Sequence, residues 1–244
     1  MKPLWEQEDF QRVAGEIWRP GGPELTRRAL ELAARRCGLA PGARLLDLGC
    51  GPGASLELLA GLGYRPLGLD RRTHAAWEKR AAGAERSPAV IFLQGDAACP
   101  PLADNSVDGV LSECVLSLLP DPLDALRGCR RTLRPGGALL LSDLFRHGDM
   151  LEEEGARLAP PESGCLAGAR SRAVWEDLLV RAGFVPRYFE DHSRALVELA
   201  ARLLWYGAEA APEWLRGGCG CGCACGGRRG AVGYGLWIAQ KEGS

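Results

Sequence analysis

An acid that closes an apolar run, followed at once by alternating glycines, is the first place in this chain where chemistry is legible. The stretch is Leu45-Leu46-Asp47-Leu48-Gly49-Cys50-Gly51-Pro52-Gly53, and Ala54 to Ala60 after it reads as a helix. Glycines let backbone approach a ligand closely, and a helix start offers unpaired N–H groups. A glycine triplet alone also makes an ordinary strand-to-helix turn, so the rest of the chain has to decide. Asp70 ends a second short apolar run, 23 positions after Asp47. That interval is near the one at which Rossmann-like units set a carboxylate on vicinal ribose hydroxyls. Thiols form the other group. Six cysteines are scattered (Cys37, Cys50, Cys99, Cys114, Cys129, Cys165), and Cys219, Cys221, Cys223 and Cys225 alternate with small residues. Cytoplasmic thiols are more often ligands or free groups than disulfides.

These residues need elements to hold them. Arg44–Leu48, Arg65–Asp70, Ala89–Gln94, Val107–Leu111 and Ala138–Asp143 read as strands, with helices over 23–37, 55–62, 73–86 and 121–133 between them. Near-continuous apolar runs fit strands buried on both faces of a parallel sheet. The alternation predicts a doubly wound α/β sheet whose ligands sit at the carboxyl ends of the strands. Those ends carry Asp47, Asp70, Asp96, Glu113, Cys114 and Asp143. Further on, a helix over 175–182, a strand over 184–189, a helix over 194–206 and a closing strand over 233–239 are expected. Residues 1–22 read as an amphipathic lead-in helix, either packed on the domain or lying over a cofactor as a lid. Residues 23–244 read as one domain, with a Gly/Cys-rich segment at 217–230.

The net charge of −1 argues against a nucleic-acid footprint or an anionic membrane surface. No signal-peptide core is visible and no apolar run reaches spanning length, so the cytoplasm is the expected compartment.

Leu45–Gly53, Asp70, Gly95-Asp96-Ala97 and Leu133-Arg134-Pro135-Gly136-Gly137 resemble, in order and spacing, the class I S-adenosylmethionine-dependent methyltransferases. The resemblance implies a seven-stranded Rossmann-like sheet, mostly parallel with an antiparallel last strand. It implies S-adenosyl-L-methionine as cofactor, with Gly49, Gly51 and Gly53 against its methionine part, Asp70 on the ribose, and Asp96 and Ala97 on the adenine. Asp47 and Glu113 complete the expected cofactor contacts. Ser112 to Asp121, and Ser163-Gly164-Cys165-Leu166-Ala167-Gly168-Ala169, resemble arsenite methyltransferases more closely. That resemblance implies that Cys114 and Cys165 bind trivalent arsenic. A third cysteine of that family, near the first strand, has no aligned counterpart here; Cys37 and Cys50 are off register. The other reading of the pair is two small buried hydrophobes.

The expected reaction is methyl transfer to a small thiophilic acceptor, arsenite first, with a thiol reductant as a candidate partner. The alternatives are methylation of an organic metabolite or cofactor precursor, and a metalloid carrier built on this scaffold. Candidate bases for an oxygen or nitrogen acceptor are Glu113, Asp143, His147 and His192, with His74 less well placed. Cys219, Cys221, Cys223 and Cys225 have three readings: ligands of a soft metal or metalloid, donors of a third thiolate to arsenic, or no role.

Overall fold

The structure, a computed structural model, describes residues 8–15, 19–82, 90–147, 165–205 and 232–243. Among the described residues there are eight strands: β1 (Arg44–Leu48), β2 (Arg65–Asp70), β3 (Ile91–Gln94), β4 (Val107–Glu113), β5 (Leu133–Arg146), β6 (Arg170–Ser171), β7 (Phe184–Asp191) and β8 (Val232–Lys241). The helices are α1 (Glu8–Ala14), α2 (Gly22–Cys37), α3 (Ala54–Gly61), α4 (Ala76–Ala82), α5 (Pro122–Thr132), α6 (Arg172–Arg181) and α7 (Ser193–Trp205). The main sheet runs β3-β2-β1-β4-β5-β8-β7, and the two-residue β6, not foreseen from the sequence, pairs with β5. Strands β3 through β5 are parallel, and β8 is antiparallel to both β5 and β7. The expected seven-stranded architecture with an antiparallel last strand is therefore present.

Both faces of the sheet are covered. On one, Leu46, Leu48, Val110 and Leu139 pack with Leu126, Trp175 and Trp237. On the other, Leu45, Leu111 and Leu140 pack with Leu30, Leu59 and Tyr234. This is why the central strands show no polar alternation. Local signals start and stop the helices. Asp121 caps α5 by accepting from the Leu123 N–H at 2.9 Å, and Ser171 caps α6 by accepting from the Val174 N–H at 3.3 Å. Gly38, in the left-handed region, ends α2.

Two elements have bounds that differ from the sequence reading, β5 for a tertiary reason and α6 for a local one. Strand β5 spans 14 residues rather than 138–143. At its start Leu133 pairs with Val107 across a register shift, and at its end Phe145 and Arg146 pair with β8 and β6. Helix α6 starts at Arg172, because Ser171 supplies the cap. The lead-in segment contains α1, whose Phe10 and Val13 pack on Leu203 of α7; Trp5, Ile17 and Trp18 lie outside the described residues.

The chain order reverses direction at β1. Strands β2 and β3 lie to one side and β4 and β5 to the other, which opens a crevice at the carboxyl ends of β1 and β4. Leu140→Ala, a truncation at a fully buried position of β5, should cost about 2–5 kcal/mol of stability in denaturant unfolding. Val197→Ala, on the exposed side of α7, should stay within about 0.5 kcal/mol.

Candidate active site

The crevice is built from the β1–α3 loop outward. Gly49, Gly51 and Gly53 all have positive φ, at 75°, 51° and 94°. A Cβ on Gly49 would come within 2.5 Å of a Val115 methyl, and one on Gly53 within 2.6 Å of the Phe92 ring. At Gly51 the same position meets nothing within 4 Å, so the loop is packed from behind and open in front. The loop is tied to β2 through Gly49 and Cys50 N–H bonds to the Leu69 carbonyl, at 2.7 and 3.0 Å. Asp70 Oδ2 accepts from the Gly51 N–H at 2.9 Å, and its Oδ1 from the Arg72 N–H at 3.0 Å. A carboxylate accepts more than two bonds, so Asp70 retains capacity for hydroxyls. Trp77 donates its indole N–H to the Gly51 carbonyl at 2.8 Å and stacks on Phe92 with centroids 4.9 Å apart. Past β3, Asp96 is exposed and its Oδ1 accepts from the Ala98 N–H at 2.9 Å; Ala97 is half-buried beside it.

Asp47 lies behind the loop and is 3% exposed. Its Oδ2 is buried and has no hydrogen-bond partner among the described residues. Burial, and then the charge of Glu113, push its pKa up to about 8, against the opposing pull of Arg19. Glu113 has partners on both carboxylate oxygens. Thr26 donates to Oε1 at 2.9 Å, Arg19 pairs with Oε2 at 2.6 Å, and Ser55 lies 3.5 Å from Oε2. Arg19 also donates to Thr26 Oγ1. Burial works against the charge on Arg19, but Glu113, Tyr234 and Asp47 together keep its pKa above the usual value. Sequence reading missed Arg19, Thr26 and Trp77. Only a tryptophan and a threonine among polar helical neighbours hinted at the last two, and nothing at the first.

Cys114 follows Glu113 and has a φ of 60°, which a non-glycine residue rarely adopts and which is found disproportionately at functional sites. Its N–H donates to the Ser142 carbonyl at 2.7 Å. Cys165 lies 51 positions later, yet the two thiols are close enough for each to shift the pKa of the other. The turn that carries Cys165 is pressed against the segment after Cys114. A Cβ on Gly168 would clash with the Ser117 carbonyl, and Arg146 donates to the Ala169 and Leu166 carbonyls at 2.9 and 3.3 Å. In this pair the contact with Cys114 lowers the pKa of Cys165. That contact and burial hold the Cys114 proton on. Both are free thiols. The sheet end thus carries a dithiol in which Cys165 loses its proton before Cys114, and Val115 joins it directly to Gly49 of the glycine loop.

The other thiols are elsewhere. Cys50 is buried under the loop with a strongly raised pKa, and Cys129 is buried with its pKa pushed up to about 12. Cys37 is half-buried at the end of α2 and Cys99 is exposed after β3. Cys219, Cys221, Cys223 and Cys225, like Ser163 and Gly164, lie outside the described residues. Among the described residues no cluster of three or more His, Cys, Asp or Glu side chains could hold a metal ion. The candidate bases are engaged. Asp143 accepts from the Ser117 and Leu144 N–H groups at 3.0 and 2.8 Å, His147 is 3.2 Å from Ser193 Oγ, and His192 is 3.0 Å from Glu190. His74 faces Asp70 at 3.9 Å.

Residues 46–141 match the family described as a methyltransferase domain. The stretch from β1 to β5 is therefore a methyltransferase domain. A ubiquinone biosynthesis O-methyltransferase of Xanthomonas campestris pv. campestris is 34% identical over 147 residues, 58% of this chain and 61% of that relative. An arsenite methyltransferase of Aquipseudomonas alcaligenes is 34% identical over 203 residues, 73% of this chain and 57% of that relative. The chain therefore spans less than two thirds of the length of either. The phosphoethanolamine N-methyltransferase 2 of Haemonchus contortus, solved with S-adenosyl-L-methionine, shares the fold. The TM-score is 0.69 at 19% identity, over 96% of this chain and 56% of that one.

The cofactor of such a domain is S-adenosyl-L-methionine, and the site suits it. An unpartnered buried carboxylate oxygen matches an ammonium group, the open face at Gly51 leaves room for a ligand on bare backbone, and Asp70 matches paired hydroxyls. No described helix is long and apolar enough to cross a membrane.

Gly168→Ala should lift the turn and separate the thiols. The alkylation rate of Cys165 at neutral pH, followed by mass spectrometry, should fall severalfold as its pKa returns upward. An unchanged rate would show that this contact does not position the thiol.

Proposed function

We propose that this protein transfers a methyl group from S-adenosyl-L-methionine to a small thiophilic acceptor held by Cys114 and Cys165, with arsenite as the acceptor. The observation that carries the reading is the meeting of these two thiols beside the glycine loop. The likeness to an arsenite methyltransferase over 73% of the chain supports it. Trivalent arsenic prefers soft thiolate ligands.

When bound, the cofactor supplies a methyl group on a positively charged sulfur. Asp47 holds the ammonium of its methionine part, Asp70 the ribose hydroxyls, and the Asp96–Ala97 turn the adenine. Gly49, Gly51 and Gly53 permit close approach of the backbone. Cys114 and Cys165 hold the acceptor with its lone pair directed at the methyl carbon. With the cofactor bound, transfer would form an arsenic–carbon bond as the carbon–sulfur bond broke, its electron pair staying on sulfur. Arsenic rises formally from +3 to +5, and a thiol reductant restores it for release or a further round. No proton leaves the nucleophile, so no general base is needed. An oxygen acceptor would need one, and Glu113 and Asp143 are already committed to other partners. This weighs against the organic-acceptor reading, despite equal identity to the O-methyltransferase. Cys219, Cys221, Cys223 and Cys225 are soft-metal or metalloid ligands on this reading, able to contribute a third thiolate.

Replacing Cys114 and Cys165 together with Ser should abolish arsenite methylation, measured with labelled cofactor, while calorimetric binding of S-adenosylmethionine persists. Full activity in the double variant would defeat the proposal.

Asp47 adds a pH test. Between its ordinary range and about 8, the folded chain holds a proton there that the unfolded chain has lost. Its contribution therefore makes the free protein less stable as pH rises through that window. Pairing with an ammonium requires the carboxylate form, so cofactor binding at pH 7 should release a proton. Calorimetry in two buffers of different ionisation enthalpy reads this release, which should vanish in Asp47→Asn. Absence of release in the unaltered protein would remove Asp47 from the cofactor site.

A further inference from the structure

At the amino edge of the parallel strands, opposite the glycine loop, four cations share one cavity. It encloses ≈ 250 Å³ and is walled by Arg127, Arg130, Arg131, Lys241, Asn105 and Asp104. Lys241 closes β8 and is 9% exposed. Its ammonium donates to Asn105 Oδ1 at 2.8 Å and to the Leu133 carbonyl at 2.6 Å. Both acceptors are neutral, and an ammonium has a third donor. Burying a charge without a counter-charge is costly, and the cost registers here: burial, then the charge of Arg130, lowers the pKa of Lys241.

Among its neighbours the charge of Asp104 relieves it in part. Asp104 is the one acid in the wall, and it is bound to Arg131 at 2.8 Å. Arg131 is otherwise spent on the Leu102 and Pro100 carbonyls. Arg130 gives its Nε to the Gly183 carbonyl at 3.0 Å, which leaves the fork of its guanidinium turned to other work. The carbonyl end of α5 favours cations and accounts for Arg130 and Arg131. It does not account for a lysine from the far strand β8 buried among them. Nor does it account for Asn105, a non-glycine residue at φ 53°, whose amide is thereby held on that lysine.

We propose that this cavity is a binding site for a phosphate-type oxyanion, free or as the phosphate group of a small metabolite, separate from the methyl-transfer site. A guanidinium fork and an ammonium converging on one space match such an anion.

The test titrates inorganic phosphate, and in a second arm glycerol 3-phosphate, against the full chain by calorimetry and thermal melting, with sodium chloride at matched ionic strength as reference. Saturable binding and a melting-temperature rise are expected with phosphate and not with chloride. Affinity should fall about tenfold or more in Arg130→Gln and in Lys241→Met, and stay unchanged in Arg194→Gln, which pairs with Glu198 on α7 outside the cavity. Affinity for S-adenosylmethionine should hold in Arg130→Gln. Tighter binding of the ester supports a phosphorylated metabolite as ligand, and equal or tighter binding of inorganic phosphate supports the free ion. Arg130→Gln alone decides the matter if Lys241→Met does not fold. No saturation beyond the chloride effect, or unchanged phosphate affinity in Arg130→Gln, overturns the proposal.

Discussion

The crevice depends on two places where backbone must come closer than a side chain allows. At Gly49 the glycine loop closes on Val115, and at Gly168 the Cys165 turn closes on Ser117. Both contacts converge on Val115–Ser117, the short stretch after Cys114. That stretch is itself pinned by Asp143, which accepts from the Ser117 N–H. One backbone segment therefore sets two distances at once: from the cofactor loop to the dithiol, and from one thiol to the other. A methyl group on either glycine would disturb the site without touching any reacting atom.

Charge is the second organising term. Asp47, Glu113 and Asp143 are crowded at neighbouring strand ends, and burial opposes the ionised forms of Asp47 and Asp143. Arg19 answers from outside the sheet. It is buried, it pairs with Glu113, and it draws the pKa of Asp47 down while burial pushes it up. The balance leaves Asp47 with an unsatisfied oxygen. An unpaired buried acid is expensive in the free protein and is offset when a cation arrives. A ligand's ammonium is thus selected by a deficit that the fold maintains.

The same reasoning applies at the opposite edge with the sign reversed. Lys241 is held by two neutral oxygens among arginines, and an anion there would do what an ammonium does at Asp47. The two edges are joined by β4 and β5, whose carboxyl ends bear Cys114 and Asp143 and whose amino ends border the cationic cavity.

What the sequence determined by itself was local. Apolar runs marked β1, β2 and β4, because strands buried on both faces need continuous hydrophobicity. The glycine triplet, the interval to Asp70 and the Arg134–Gly137 break were readable because each is a requirement of a single turn. The pairing of Cys114 with Cys165 came from family resemblance, since 51 intervening residues leave no spacing to read. Only the tertiary structure decided the rest. It decided that Arg19 and Thr26 would meet Glu113, that β5 would run to Arg146 against β8, and that Lys241 would be buried among arginines. In each case the partners are distant in the chain. Their meeting is set by sheet order and packing, which no local pattern of residue types records.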